Sequence, residues 1–196
     1  AQCLVGSEMC IRDSFRSLCD FLNMNVARIP IPNLQLLQKG PKMEHFSPKI
    51  VKAVETVKTS PSVQRAFDYV KEHLEETIRD QKELVLIEAP TGHEKAKAER
   101  YLSMLREAGL DDIYMDEHFN VIGKLHGTGN TGCSVLLEGH LDTVFSFGDV
   151  KGIETDAEGR IHCPGICDDT RAIAANLAVL RAFKAANLRP VHDIYF

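Results

Sequence analysis

Apolar residues recur at intervals of three and four through the first part of the chain and give way to short alternating runs in the second. Over residues 47–60 the spacing of Ile50, Val54 and Val57 predicts a short amphipathic helix. Ser62 has the chemistry of an N-cap, and Val63, Phe67, Val70, Leu74 and Ile78 then mark one face of a longer helix. That helix, or a successor, is expected to run through residues 84–87 and stop at Pro90, where Thr91 and Gly92 turn the chain. The next helix is predicted over 94–108, ending at Gly109, a residue type that accepts the left-handed conformation of a C-cap. Segments 112–117, 120–125 and 134–140 read as strands, and 152–163 as a hairpin turning at 157–159. A helix over 168–187 carries Ile173, Leu177, Leu180 and intervening alanines around most of its circumference, as burial against a sheet requires, and 192–196 enters another strand. Helices first, then strand, helix and strand, give an α/β fold with a mixed sheet flanked by helices.

Before this ordered pattern, residues 1–46 read as an irregular arm. The opening "AQCLVGSEMCIRDS" (1–14) begins without Met, lacks periodicity and resembles translated adapter read-through, so the start is expected at Met24 or Met43. Pro30, Pro32, Gly40 and Pro41 forbid a continuous helix over 28–41. The remaining residues are enough for a core of their own, since 44% of the 196 residues are hydrophobic.

A formal charge of −5 and the lack of a Lys/Arg-rich cluster argue against a nucleic-acid partner, which needs a basic face. Glu138, Asp142 and Arg181 interrupt the longest apolar runs, so no membrane span is predicted. Glu8, Arg12 and Asp13 occupy the place of a signal peptide's apolar stretch, and the cytoplasm is the expected compartment. Cys133, Cys163 and Cys167 lack zinc spacing and read as free thiols, and Cys3, Cys10 and Cys19 fall in the arm.

Four groups of residues could carry chemistry. "GTGNTG" (127–132) matches the form of a dinucleotide fingerprint, but that motif requires a helix directly after it, and the pattern following Gly132 is that of a strand. In "LLEGHLDTVF" (136–145), His140 and Asp142 lie where a strand ends, the usual place for a ligand in an α/β sheet. A carboxylate beside a ligating imidazole anchors the second ring nitrogen; the plainer reading is a pair on a surface turn. In "CPGICDDTRAIA" (163–174), Pro164 and Gly165 force a turn that delivers Asp168 and Asp169 to a helix start, where a carboxylate also serves as an N-cap. His93, His118 and His162 could approach the site but read first as solvated or core side chains, and Glu75 and Glu76 as a solvated face.

Together, "GHLDTVF" and "HCPGICDDTRAIA" resemble the dinuclear zinc peptidases and amidohydrolases that include peptidase T, carboxypeptidase G, acetylornithine deacetylase, succinyl-diaminopimelate desuccinylase and aminoacylase. "ELVLIEAPTGHEKAKAERYLSMLREAGL" and "DEHFNVIGKL" are similar to the start of that catalytic domain, so the resemblance covers roughly 61–196. It implies that His140 and Asp168 are metal ligands, Asp168 bridging two Zn2+. Asp142 would be the catalytic-site carboxylate that orients His140, and Asp169 a supporting group joined to Asp168 by a cis peptide.

The implied activity is metal-assisted hydrolysis of a peptide or N-acyl-amino-acid amide, tipped towards aminopeptidase, with a glutamate moving the proton. On this resemblance residues 47–196 are the N-terminal portion of a zinc-exopeptidase-like catalytic domain. The glutamate, the further ligands and the smaller domain of a homodimeric parent enzyme are expected beyond Phe196, which leaves the 196 residues inactive alone. Cys167 and Ala172 depart from the glycines usual in such sequences. Two other readings stay open: a nucleotide-binding oxidoreductase, which requires a helix after Gly132, and a non-enzymatic binding module of the same fold.

Overall fold

The computed structural model describes residues 47–129 and 132–196. The irregular arm, its start residues and its three cysteines lie outside the described residues.

Five helices and six strands make up the described chain: α1 Pro48–Lys58, α2 Pro61–Glu72, α3 Leu74–Val85, α4 Lys95–Glu107, β1 Asp112–Met115, β2 Val121–Leu125, β3 Ser134–Leu136, β4 Glu154–Thr155, β5 Ile161–His162, α5 Thr170–Ala185 and β6 Asp193–Tyr195. The chain divides into two compact units, 1–64 and 65–196. In the first, Ser47 caps α1 by accepting from the Ile50 N–H, and the helix buries no residue. Its Ile50 and Val57 are 52% and 60% exposed.

The second unit holds a four-stranded mixed sheet in the order β1-β2-β6-β3. β1, β2 and β6 pair antiparallel, and β3 lies parallel to β6 at an edge. One core, including Leu84 of α3, Tyr101, Met104 and Leu105 of α4, Ile173, Leu177 and Leu180 of α5, and Ile113, Ile194 and Phe196 of the sheet, joins the helices to the strands. The fold is thus the mixed α/β arrangement expected from the hydrophobic pattern. Among the described residues no helix is long and apolar enough to cross a membrane.

Three expected boundaries move. Pro61 takes the first position of α2, where its missing N–H is no loss, and the Ser60 carbonyl accepts from Gln64 at 2.9 Å, so Ser62 sits inside the first turn and not at the cap. The long helix breaks at His73, whose ring stacks on Tyr69 at 3.8 Å while Nδ1 bonds the Tyr69 carbonyl at 2.8 Å. The strand expected over 134–140 ends at Leu136, one further bond from the Leu137 N–H to the Tyr195 carbonyl (2.8 Å) being the last it makes to β6.

The glycine run meets strand and not helix, because β3 begins at Ser134. No helix N-terminus is offered to a pyrophosphate there, and the oxidoreductase reading falls. Gly127 has a different use: an added Cβ would stand 2.5 Å from the Val191 carbonyl oxygen, so glycine is what lets the β2 exit pass the approach to β6.

Candidate active site

The loop that leaves β3 carries His140 and Asp142, and the turn that enters α5 carries Asp168 and Asp169. Gly139 lets the two meet. An added Cβ there would lie 3.0 Å from the Ala172 Cβ and from Ile173 Cγ2, so a larger residue would crowd the loop against the first turn of α5. The second turn depends on Gly165, at φ +77°. Its form is held from a distance by Gln81 of α3, which donates from Nε2 to the Ile166 carbonyl at 2.6 Å.

These supports bring the side chains together. Nδ1 of His140 donates to the Asp142 carbonyl at 2.9 Å and to its carboxylate Oδ1 at 3.0 Å. Both partners are acceptors, so this nitrogen carries a proton and Nε2 is the one left to face Asp168, whose Oδ1 lies 3.0 Å away. The other oxygen of Asp142 accepts from the Thr91 hydroxyl at 2.5 Å. Asp169 Oδ2 accepts from the His140 backbone N–H at 3.2 Å. Asp169 occupies the N-cap position of α5 but makes no side-chain capping bond. The Asp168–Asp169 peptide is cis.

The electrostatics follow these contacts. Burial pulls the His140 pKa down, but the bonds to Asp168 and to the Asp142 carbonyl, the charge of Asp169 and the Asp142 carboxylate outweigh it, and the net shift is upward. The Thr91 bond lowers Asp142, against a smaller push from burial, and His140 lowers it further. Burial raises Asp169, opposed by the bond from the His140 N–H. A proton on Nε2 would point at Asp168 Oδ1, 3.0 Å away.

A metal can take the place of that proton. Two ligands on one tetrahedral zinc, each at about 2.0–2.1 Å, stand roughly 3.3 Å apart. The Nε2 to Oδ1 separation of 3.0 Å suits a shared ion, and the anchored Nδ1 leaves the correct lone pair facing it. His140 and Asp168 therefore fit as two donors. Among the described residues no group of three or more His, Cys, Asp or Glu side chains is placed to hold an ion.

His93, His118 and His162 do not join the pair. His93 meets Phe147 edge-on at 5.4 Å, His118 lies 3.6 Å from Glu117, and His162 bonds Asp156 at 2.9 Å. Glu76 is less solvated than its sequence neighbourhood suggests, standing 3.7 Å from Arg181. Four contributors escape sequence reasoning: Thr91, Gln81, Glu88 and Lys97. Glu88 Oε1 accepts the Gly148 and Val150 N–H groups at 2.8 and 3.1 Å, tying the α3–α4 loop to the segment after Asp142. Lys97 is 1% exposed, and burial lowers its pKa while Asp142 and Cys163 act in the opposite sense. The partners of the first three lie 51 to 85 residues away, and no local pattern announces them.

Residues 136–196 match the model of Peptidase family M20/M25/M40. The solved structure of the di-peptidase Dug1p from Saccharomyces cerevisiae has the same fold. It matches with a TM-score of 0.55 and 18% identity, over 67% of this chain and 33% of that one. The chain thus spans about a third of the length of that structure.

Proposed function

We propose that this chain supplies part of the active site of a metal-dependent hydrolase of amide bonds, acting on peptides or N-acyl amino acids. The observation that carries the reading is the facing pair, Nε2 of His140 and Oδ1 of Asp168 at 3.0 Å, with Nδ1 held by Asp142. His140 and Asp168 would hold the metal, and Asp142 would orient the imidazole. Asp169, through the His140 backbone, would keep the two segments in register.

Zinc in this position would lower the pKa of a bound water and polarise the scissile carbonyl. Asp168 is 83% exposed, so a substrate and a second ion could reach it from solvent. The family match and the di-peptidase neighbour support peptides as the substrate class. An aminopeptidase-like activity, two zinc ions, a homodimeric parent enzyme and a cytoplasmic location belong to the same proposal.

Zinc is held by about four ligands, and the described residues bring two together, since no group of three or more His, Cys, Asp or Glu is placed among them. The 196 residues alone are therefore expected to bind Zn2+ weakly and to leave peptides intact, while the parent enzyme hydrolyses them. Titration calorimetry with Zn2+ on wild type, His140→Ala and Asp168→Ala, beside a hydrolysis panel of dipeptides and N-acetyl amino acids on the full-length enzyme, tests this. Weak binding lost in both variants supports the site. Substantial turnover by the isolated chain overturns the two-donor argument, and a parent enzyme that binds no metal points to the binding module.

A further inference from the structure

We propose that Thr91 is a positioning residue for the metal-binding imidazole, acting through Asp142. The inference rests on the reading of His140 as a ligand and extends it to a residue in the loop between α3 and α4.

A carboxylate turns easily about its last torsion, so one hydrogen bond does not fix its plane. Asp142 has bonds on both oxygens: Oδ1 takes the His140 Nδ1 proton at 3.0 Å, and Oδ2 takes the Thr91 hydroxyl proton at 2.5 Å. With Oδ2 pinned, Oδ1 cannot swing away from the ring, and the ring cannot turn without losing two acceptors. The hydroxyl is thus the third link of a chain running from Thr91 through Asp142 and His140 to Asp168.

Thr91 can serve this way only if its own backbone is held, and it is. The Thr143 N–H donates to the Ala89 carbonyl at 2.8 Å, and Pro90 forms a parallel bridge with Thr143. On the other side, the His93 N–H closes the turn onto the Pro90 carbonyl at 2.8 Å, and the Gly92 N–H meets Glu94 Oε1 at 2.5 Å. The loop is therefore fastened to the segment that carries Asp142 just before the threonine, and closed on itself just after it.

The test compares Thr91→Val, which keeps the shape and removes the donor, with Thr91→Ser, which keeps the donor. Nitrogen-15 NMR of the metal-free chain, at a pH where the imidazole is neutral, should show His140 as the Nδ1–H tautomer in wild type and Thr91→Ser, with a larger Nε2–H fraction in Thr91→Val, where the Asp142 carbonyl at 2.9 Å is the acceptor that still favours Nδ1–H. Zn2+ affinity should fall about tenfold in Thr91→Val and recover in Thr91→Ser. Glu88→Gln, which keeps the oxygen acceptor but removes the charge from the bonds to the 148 and 150 N–H groups, should leave the tautomer unchanged. A wild-type tautomer in Thr91→Val, or an equal disturbance in Glu88→Gln, overturns the proposal. Because the tautomer is read without metal, a chain that bound no zinc would refute the ligand reading and still leave the role of Thr91 decided.

Discussion

Gly139→Ala tests the close approach on which the site depends. The cost is one of space, since Gly139 is not among the residues with positive φ and alanine can adopt its backbone. The new methyl would stand 3.0 Å from the Ala172 Cβ, 3.0 Å from Ile173 Cγ2 and 3.1 Å from Asp169 Oδ2. Ordinary carbon contacts are about 3.5–4.0 Å, so the neighbours must give by a few tenths of an ångström. Ala172 and Ile173 are held by the helix, and Ile173 is 1% exposed, so little of this can be absorbed.

Overpacking of this kind costs about 1–3 kcal/mol. The stiffer unfolded chain returns about 0.4–1 kcal/mol. The expected net loss is thus about 1–2 kcal/mol, or a melting point lower by roughly 2–8 °C for a domain of this size. Urea unfolding followed by circular dichroism measures it. Ala172→Gly alone should cost about 0.5–1 kcal/mol as a helical glycine. Combined with Gly139→Ala it removes one of the three clashes, and the double-mutant cycle should return a favourable coupling of at least about 0.5 kcal/mol. Full stability in Gly139→Ala, or costs that simply add, would refute the packing argument.

Two further outcomes follow from ion pairs away from the site. Arg181→Met leaves the Asp80 carboxylate, 6% exposed, without its guanidinium and should destabilise by about 3 kcal/mol or more, with much of the loss recovered when Asp80→Asn is added; a change below about 1 kcal/mol in thermal unfolding contradicts this. Asp156 is held well below its ordinary value first by His162 and then by Arg160. A depressed carboxylate favours the folded hairpin above its unfolded pKa and loses that effect as pH falls through the folded value. Carboxyl carbon-13 titration should accordingly show a midpoint below about 3.9 that rises in His162→Ala with Arg160→Ala, and a midpoint unmoved by the pair of substitutions would refute the assignment.

Elements with local causes were legible in the sequence. Helix α4 ends before Gly109 because that residue sits at φ +88°, and the β4–β5 hairpin turns where Asp156 accepts the N–H groups of Glu158 and Arg160. Elements whose ends depend on distant partners were not. The apolar run after Ser134 predicts a longer strand, whereas the ladder pairs only Ser134–Leu136 with Asp193–Tyr195 of β6. The same edge leaves Val135 and Leu136 42% and 63% exposed, since alternation shows which residues could be buried and not what covers them. Within the site, glycine and proline turns mark His140, Asp142 and Asp168. Thr91 and Gln81 reach it only through contacts 51 and 85 residues away in sequence.

Asp169 shows how such contacts decide between roles that sequence leaves even. At a helix start a carboxylate serves the N2 or N3 amide, and the position alone favours that use. Here the backbone at φ −122°, ψ 25° leaves the side chain with no capping bond. Its Oδ2 turns outward to the His140 N–H, in the gap that Gly139 keeps open. The carboxylate thereby exchanges a local task for one that joins α5 to the loop after β3, at the expense of a pKa raised by burial. That exchange accounts for a pair of aspartates in which Asp168 faces the imidazole ring while Asp169 grips the backbone carrying it. It also explains why crowding at Gly139 would reach the proposed metal ligand without touching it: the methyl that strikes Ala172 and Ile173 strikes the same oxygen that fixes the His140 main chain.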